Sequence, residues 1–151
     1  MSARPPIVAQ ALRDPGNIGT ILRTGDAVGA GGVILVDDSA DPYSVEAVRA
    51  SMGAIFTQEV AVARWPEFVT WLRVGDGQLV GTSLKATQDY LGAEYRKPCF
   101  LLIGNEQHGL PADYEAECDL LVKIPMAGRA DSLNAAMAAA VMAFAIKASW
   151  R

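Results

Sequence analysis

A chain of 151 residues, 51% of them hydrophobic, suits one compact domain that buries roughly 70% of the surface its unfolded form exposes. Its net charge of −4 and pI near 4.9 count against a broad phosphate-binding surface, which favours basic residues. The only cysteines, Cys99 and Cys118, form no CxxC pair, and the only histidine is His108. A disulfide framework, a structural metal site and Cys–His catalysis are therefore not expected; both thiols read as buried. No window reaches the ~18 apolar residues of a membrane span. The opening residues, MSARPPIVAQ, lack the apolar region of a signal peptide, so the expected location is the cytoplasm.

In chain order, short apolar runs alternate with helical patterns. Strands are predicted at PIVAQAL (6–12), GVILV (32–36), AIFTQEV (54–60), QLVGTSL (78–84), CFLLIG (99–104) and LLVKIP (120–125). Helices are predicted over 17–29, 41–53, 65–75, 87–94 and 111–119, with a long one over 132–150. Asp41 before Pro42 reads as an N-cap followed by proline at the first helical position. Gly29 reads as a left-handed helix end, and Pro111 as a helix start. Unalternated apolar runs, each followed by a helix, indicate an α/β fold with a mostly parallel sheet covered on both faces. Ligands of such sheets bind in loops at the carboxyl ends of the strands.

Three loops at such positions carry polar residues. In RDPGNIGTILRTGDAVGAGG (13–32), Asn17 opens a helix and Arg23 follows after about 600° of rotation, so the two lie about 120° apart. Arg23 reads either as reaching toward the ligand end of the sheet or as a surface partner of Asp26, the latter worth perhaps ~0.3 kcal/mol. The glycines of GAGG precede a strand, whereas a dinucleotide fingerprint follows one. In LLIGNEQHGL (101–110), Gly104 permits close approach of backbone to a ligand and Glu106 places a carboxylate at a strand end. A solvated glutamate is the plainer reading of Glu106, and a merely polar side chain that of His108. In IPMAGRADSLNAA (124–136), Ser132 is the expected helix cap, worth about 1 kcal/mol, with Asn134 in the first turn.

The helix that follows places Leu133, Met137, Val141, Phe144 and Ala148 at three- and four-residue spacings, with Ala140 and Met142 on other faces. A helix apolar on nearly every side is buried on most of them. Its small alanine faces suit close packing inside the domain or against a second copy.

Taken together, the segments NIGTILRTGDAVGAGGVIL, LLIGNEQHGL and IPMAGRADSLNAAMAAAVMAF resemble the motifs of the SpoU (TrmH) family of RNA ribose 2′-O-methyltransferases, in order, spacing and flanking strands. SVEAVRASMGAIF (44–56) is similar to the family's segment between its first two motifs, and the resemblance covers essentially the whole chain. It implies an α/β fold closed by a C-terminal trefoil knot, a feature that no general rule of topology would suggest. It implies S-adenosylmethionine as methyl donor, no metal, RNA (tRNA or rRNA) as substrate, a homodimer and no membrane. Residues 1–151 are expected to be a single catalytic domain, without an N-terminal RNA-binding domain in this chain.

Carried over position by position, the resemblance makes Asn17, Arg23, Glu106, Ser132 and Asn134 the catalytic and substrate-site residues. Gly104, Ile124 and Leu133 become donor-binding residues, with Thr82, Leu84 and Met126 lining the same pocket. Gln107 and Asp131 depart from the family, which usually has Gly and a small or apolar residue there. The family view gives Arg23 the role of proton acceptor. A guanidinium does not give up its charge in proteins, so holding a phosphate and stabilising a developing alkoxide suits it better. Arg4, Arg13, Arg23 and Arg49 are the candidates for a local basic patch on this acidic chain. Two rival readings are a non-catalytic RNA- or donor-binding module of the same fold and a dinucleotide-dependent oxidoreductase.

Overall fold

A computed structural model of the protein describes residues 5–105, 108–129 and 133–151. The chain runs β1 (Ile7–Gln10), α1 (Pro15–Val28), β2 (Val33–Val36), α2 (Val45–Ser51), a 3₁₀ turn (Ala54–Phe56), β3 (Val60–Ala63), α3 (Trp65–Val74), β4 (Gln78–Thr82), β5 (Cys99–Ile103), α4 (Ala112–Glu117), β6 (Leu120–Val122) and α5 (Ala135–Ser149). The six strands form one sheet in the order β3-β2-β1-β5-β4-β6, and every pairing is parallel.

Strand alternation divides the core in two. Ile7, Ala9, Val33, Leu35, Val80, Leu101 and Ile103 point to one face, where α1 and α5 supply Ile18, Ile21, Leu22, Ala139, Met142 and Ile146. Val8, Val36, Leu79, Phe100 and Leu102 point to the other, where α3 supplies Trp65, Phe68 and Leu72. Each large side chain so buried contributes on the order of 1.5–3 kcal/mol. Helices thus cover both faces, as the unalternated runs predict.

Helix α1 starts with Asp14, whose carboxylate accepts from the N–H of Gly16 at 2.8 Å, and ends on Gly29 with φ 70°. Within it, a Cβ on Gly19 would stand 2.3 Å from the Ala47 carbonyl oxygen and 2.6 Å from the Ala50 Cβ. Glycine is what lets α1 and α2 meet backbone to backbone. Lys147 of α5 donates to the Val28 carbonyl at 2.5 Å, covering an orphan acceptor at the end of α1.

Four expectations change. Residues 54–56 form a 3₁₀ turn rather than the start of a strand. Ala54 and Ile55 are buried against α1, so this segment serves the helical layer, and the edge strand starts only at Val60. Residues 87–94 form no helix: Asp89 accepts from the N–H of Leu91 at 2.8 Å, and Gln88 and Tyr90 pair in extended fashion with Lys123. Ser44, not Asp41, caps α2, because the Asp41 carboxylate closes a turn onto Tyr43 instead. Finally, α5 begins at Ala135 with Asn134 as its cap, and its outer face stays open, with Met137 58% and Phe144 49% exposed.

No described helix is long and apolar enough to cross a membrane.

Candidate active site

The order of the strands makes a crevice. Beyond β1 the chain moves outward to β2 and β3, whereas β5 and its successors lie on the other side of β1. Connections leave the carboxyl ends of β1 and β5 in opposite directions, which is where ligands of open α/β sheets settle. The loop after β5 is tied to β1 there: the Asn105 side-chain amide donates to the Ala11 carbonyl at 2.7 Å. The same side chain accepts from the His108 N–H at 3.0 Å, and the Gly109 N–H donates to the Asn105 carbonyl at 2.9 Å. Gly104 is required by this folding-back of its own loop, since a Cβ on it would stand 2.5 Å from the Gly109 carbonyl carbon and 2.6 Å from the Leu110 nitrogen. The sequence reading assigned that freedom to a ligand; the loop itself uses it.

A cavity of about 410 Å³ opens beside this loop. Thr82 and Leu84, at and after the end of β4, line one side. Gly104, at the end of β5, lines another, with Ile124 and Met126 after β6 and Leu133 before α5. All six residues assigned to the donor thus meet around one space, although they come from three separate loops. Mixed polar and apolar walls with exposed backbone are what a nucleoside needs, so the cavity fits the adenosine of S-adenosylmethionine.

Asn17 and Asn134 meet next to it. The Asn134 side-chain amide donates to the Asn17 side-chain oxygen at 3.2 Å. The Asn134 oxygen accepts from the N–H groups of Ala136 at 2.8 Å and Met137 at 3.3 Å. One asparagine therefore caps α5 and clasps the first turn of α1, a double duty that explains its position better than a place inside the helix. Its neighbours Leu133 and Ala135 both face the cavity. Arg23 stands exposed further along α1 and does not line the cavity. Among the described residues it makes no ion pair, and Asp26 accepts instead from the Thr57 hydroxyl at 3.1 Å. Glu106 and Ser132, like Gln107, Asp131 and Arg4, lie outside the described residues. Arg13 pairs with Asp38 at 3.0 Å, whereas Arg23 and Arg49 of the candidate basic patch make no ion pair among the described residues.

Sequence reasoning missed the far wall. Leu110, Ala112 and Glu115 line the cavity from the segment holding α4, yet α4 buries none of its residues fully. Tyr114 fastens it: its ring stacks on Trp65 with centroids 4.0 Å apart, and its hydroxyl donates to the Asp37 carboxylate. Asp37 also accepts from the Trp65 N–H at 3.1 Å. Burial, followed by the bond to Asp37, holds the Tyr114 hydroxyl well above its ordinary pKa. No local pattern links positions 37, 65 and 114, so only the assembled fold reveals the clasp. Lys85 and Lys123 were also overlooked, although each adjoins an assigned residue.

A parallel α/β sheet with a nucleoside-sized cavity and an asparagine pair at its carboxyl edge defines a class of small-molecule-dependent enzymes and binding modules. Comparison with known proteins narrows this. Residues 5–144 match the model of the SpoU rRNA Methylase family, and the chain belongs to that family. It is 33% identical over 146 residues to the 23S rRNA (guanosine(2553)-2′-O)-methyltransferase RlmP of Bacillus subtilis, covering 97% of this chain and 59% of that protein. It is 40% identical over 136 residues to the 23S rRNA (uridine(2479)-2′-O)-methyltransferase of Streptomyces viridochromogenes, covering 86% of this chain and 47% of that protein. The crystal structure of an AdoMet-bound rRNA methyltransferase from Sinorhizobium meliloti superimposes with a TM-score of 0.95 at 43% identity, covering 100% of this chain and 58% of that one. The chain thus spans about half the length of these relatives.

Proposed function

We propose that the protein transfers a methyl group from S-adenosylmethionine to a ribose 2′-hydroxyl of RNA, either tRNA or rRNA. The observation that carries this reading is one cavity lined by all six residues assigned to the donor, from the segments after β4, after β5 and between β6 and α5, in a chain whose relatives are named for that reaction. In this reading the 151 residues are one catalytic domain working in the cytoplasm.

The donor brings a methyl group already activated on a sulfonium, so the protein's tasks are alignment and removal of one proton. Holding two reactants in line removes up to roughly 7–11 kcal/mol of a barrier in ideal cases. Gly104, Ile124 and Leu133 hold the adenosine by backbone groups and apolar contact, with Thr82, Leu84 and Met126 around them. Arg23 grips a phosphate next to the target ribose through paired N–H donors and stabilises the alkoxide as the proton passes to phosphate or water. Glu106 orients Arg23 or the hydroxyl. Asn17, Ser132 and Asn134 position loop and ribose by neutral hydrogen bonds. No metal takes part.

We further propose that the C-terminal segment forms a trefoil knot and that two copies assemble. The placing of Ile124 and Met126, after the edge strand β6, and of Leu133, before α5 packs across α1 and β5, around one cavity supports the knot. The open stripe of Met137 and Phe144 on α5 supports the homodimer. The test is incubation with RNA and methyl-labelled donor, followed by digestion to nucleosides. Label recovered in 2′-O-methylated nucleosides is the expected result; label on bases, or donor binding with no transfer at all, refutes it, the second outcome pointing to a binding module.

A further inference from the structure

The cavity has a charged end that the donor positions leave unexplained. Lys85, Lys123 and Glu115 all line it. Lys85 follows Leu84, and Lys123 precedes Ile124, so each lysine adjoins a residue already assigned to the donor. The two come from neighbouring strands: β4 pairs with β6 through Thr82 and Val122, and the Ser83 N–H donates to the Val122 carbonyl at 3.0 Å. Glu115 projects from α4 and is half-buried, whereas Lys85 and Lys123 are exposed. Among the described residues, the basic side chains that form ion pairs are Arg13, Arg64 and Arg73; none of these three cavity groups has a charged partner.

One acidic and two basic residues lining one cavity, with no ion pair among the described residues, match a ligand that carries both signs. We propose that Lys85, Lys123 and Glu115 recognise the amino acid end of the methyl donor, the lysines its carboxylate and Glu115 its ammonium. This rests on the donor reading given above. A polyanion fits less well, because Glu115 repels phosphate, whereas a zwitterion uses all three groups. The Tyr114 clasp acquires a purpose here, since it sets where α4 holds Glu115 over the cavity. Charge-assisted bonds of this kind are the strong ones.

The test is calorimetry with two probes. S-adenosylhomocysteine carries the amino acid end; 5′-methylthioadenosine keeps the adenosine and thioether but lacks it. Wild-type protein should bind the first more tightly than the second. In the K85M/K123M double variant the first should weaken by about tenfold while the second stays unchanged. E115Q should weaken only the first, by roughly threefold. Equal losses for both probes, or none for either, overturn the assignment while leaving the donor reading intact. Unchanged binding of S-adenosylhomocysteine with a raised KM for RNA also overturns it, giving the lysines to phosphates. Wild-type protein that binds neither probe removes the donor reading and this assignment together. Because none of the three side chains makes an ion pair among the described residues, the variants should melt at the wild-type temperature.

Discussion

The two sides of the crevice are built differently. On the β1–β2 side, α1 and α2 touch at Gly19, where no side chain fits, and the reacting candidates Asn17 and Arg23 ride on that fixed helix. On the β4–β6 side, the cavity is walled by loops and by α4, a helix with no fully buried residue that is fastened through Tyr114. Precision suits groups that must meet a reacting atom, and elements packed backbone to backbone provide it. Loops with exposed backbone suit the holding of a bulky donor that must enter and leave. Asn134 joins the two sides, capping α5 and bonding to Asn17.

The comparison can be broken first at Gly104. Gly104→Val places side-chain atoms against the backbone of Gly109 and Leu110, and overpacking of this kind costs about 1–3 kcal/mol. Urea denaturation should show that loss, and calorimetry the collapse of S-adenosylhomocysteine binding; wild-type affinity would mean that the loop does not shape the donor site. A smaller effect is expected at the junction. Asn134→Ala removes the cap and costs about 1 kcal/mol. Asn134→Asp keeps the cap but loses the amide that bonds to Asn17, so stability should hold while methyl transfer falls. Equal transfer by both proteins would deny the clasp any part in the reaction.

The smallest effect is alkaline. Burial pushes the thiols of Cys99 and Cys118 from 9.0 up to about 12, so the unfolded chain releases these protons first. Their contribution to stability is therefore complete below pH 9 and is lost as pH rises toward 12. Melting temperatures measured across that range should fall, and substitution of both cysteines should flatten the slope. Cys118, half-buried beside α4, should react with a thiol reagent before the fully buried Cys99.

Much of this was legible in the sequence because it depends on local rules. Unalternated apolar runs specify buried parallel strands, and Gly29 ends α1 as read, although Asp14 and Pro15 start that helix two residues ahead of Asn17. The residues 54–56 misled because Ala, Ile and Phe in a row suit a strand as well as a buried turn, and only packing against α1 decides between them. Residues 87–94 misled because helical composition yields to pairing with Lys123. Asn134 looked misplaced inside a helix until the helix began one residue later. The wall formed by α4 was invisible because the Asp37–Trp65–Tyr114 clasp joins residues far apart in sequence. The donor positions themselves were reached through family resemblance, with periodicity saying only that their loops lie at the ligand edge.

The central claim is that the donor cavity and the α1 guanidinium serve one reaction. Arg23 is exposed and makes no ion pair among the described residues, so Arg23→Ala should fold as the wild type does. Methyl transfer to RNA by that variant at saturating donor is the most direct measurement. The account predicts a fall of about a hundredfold or more with the affinity for S-adenosylhomocysteine unchanged. Transfer at the wild-type rate would contradict it.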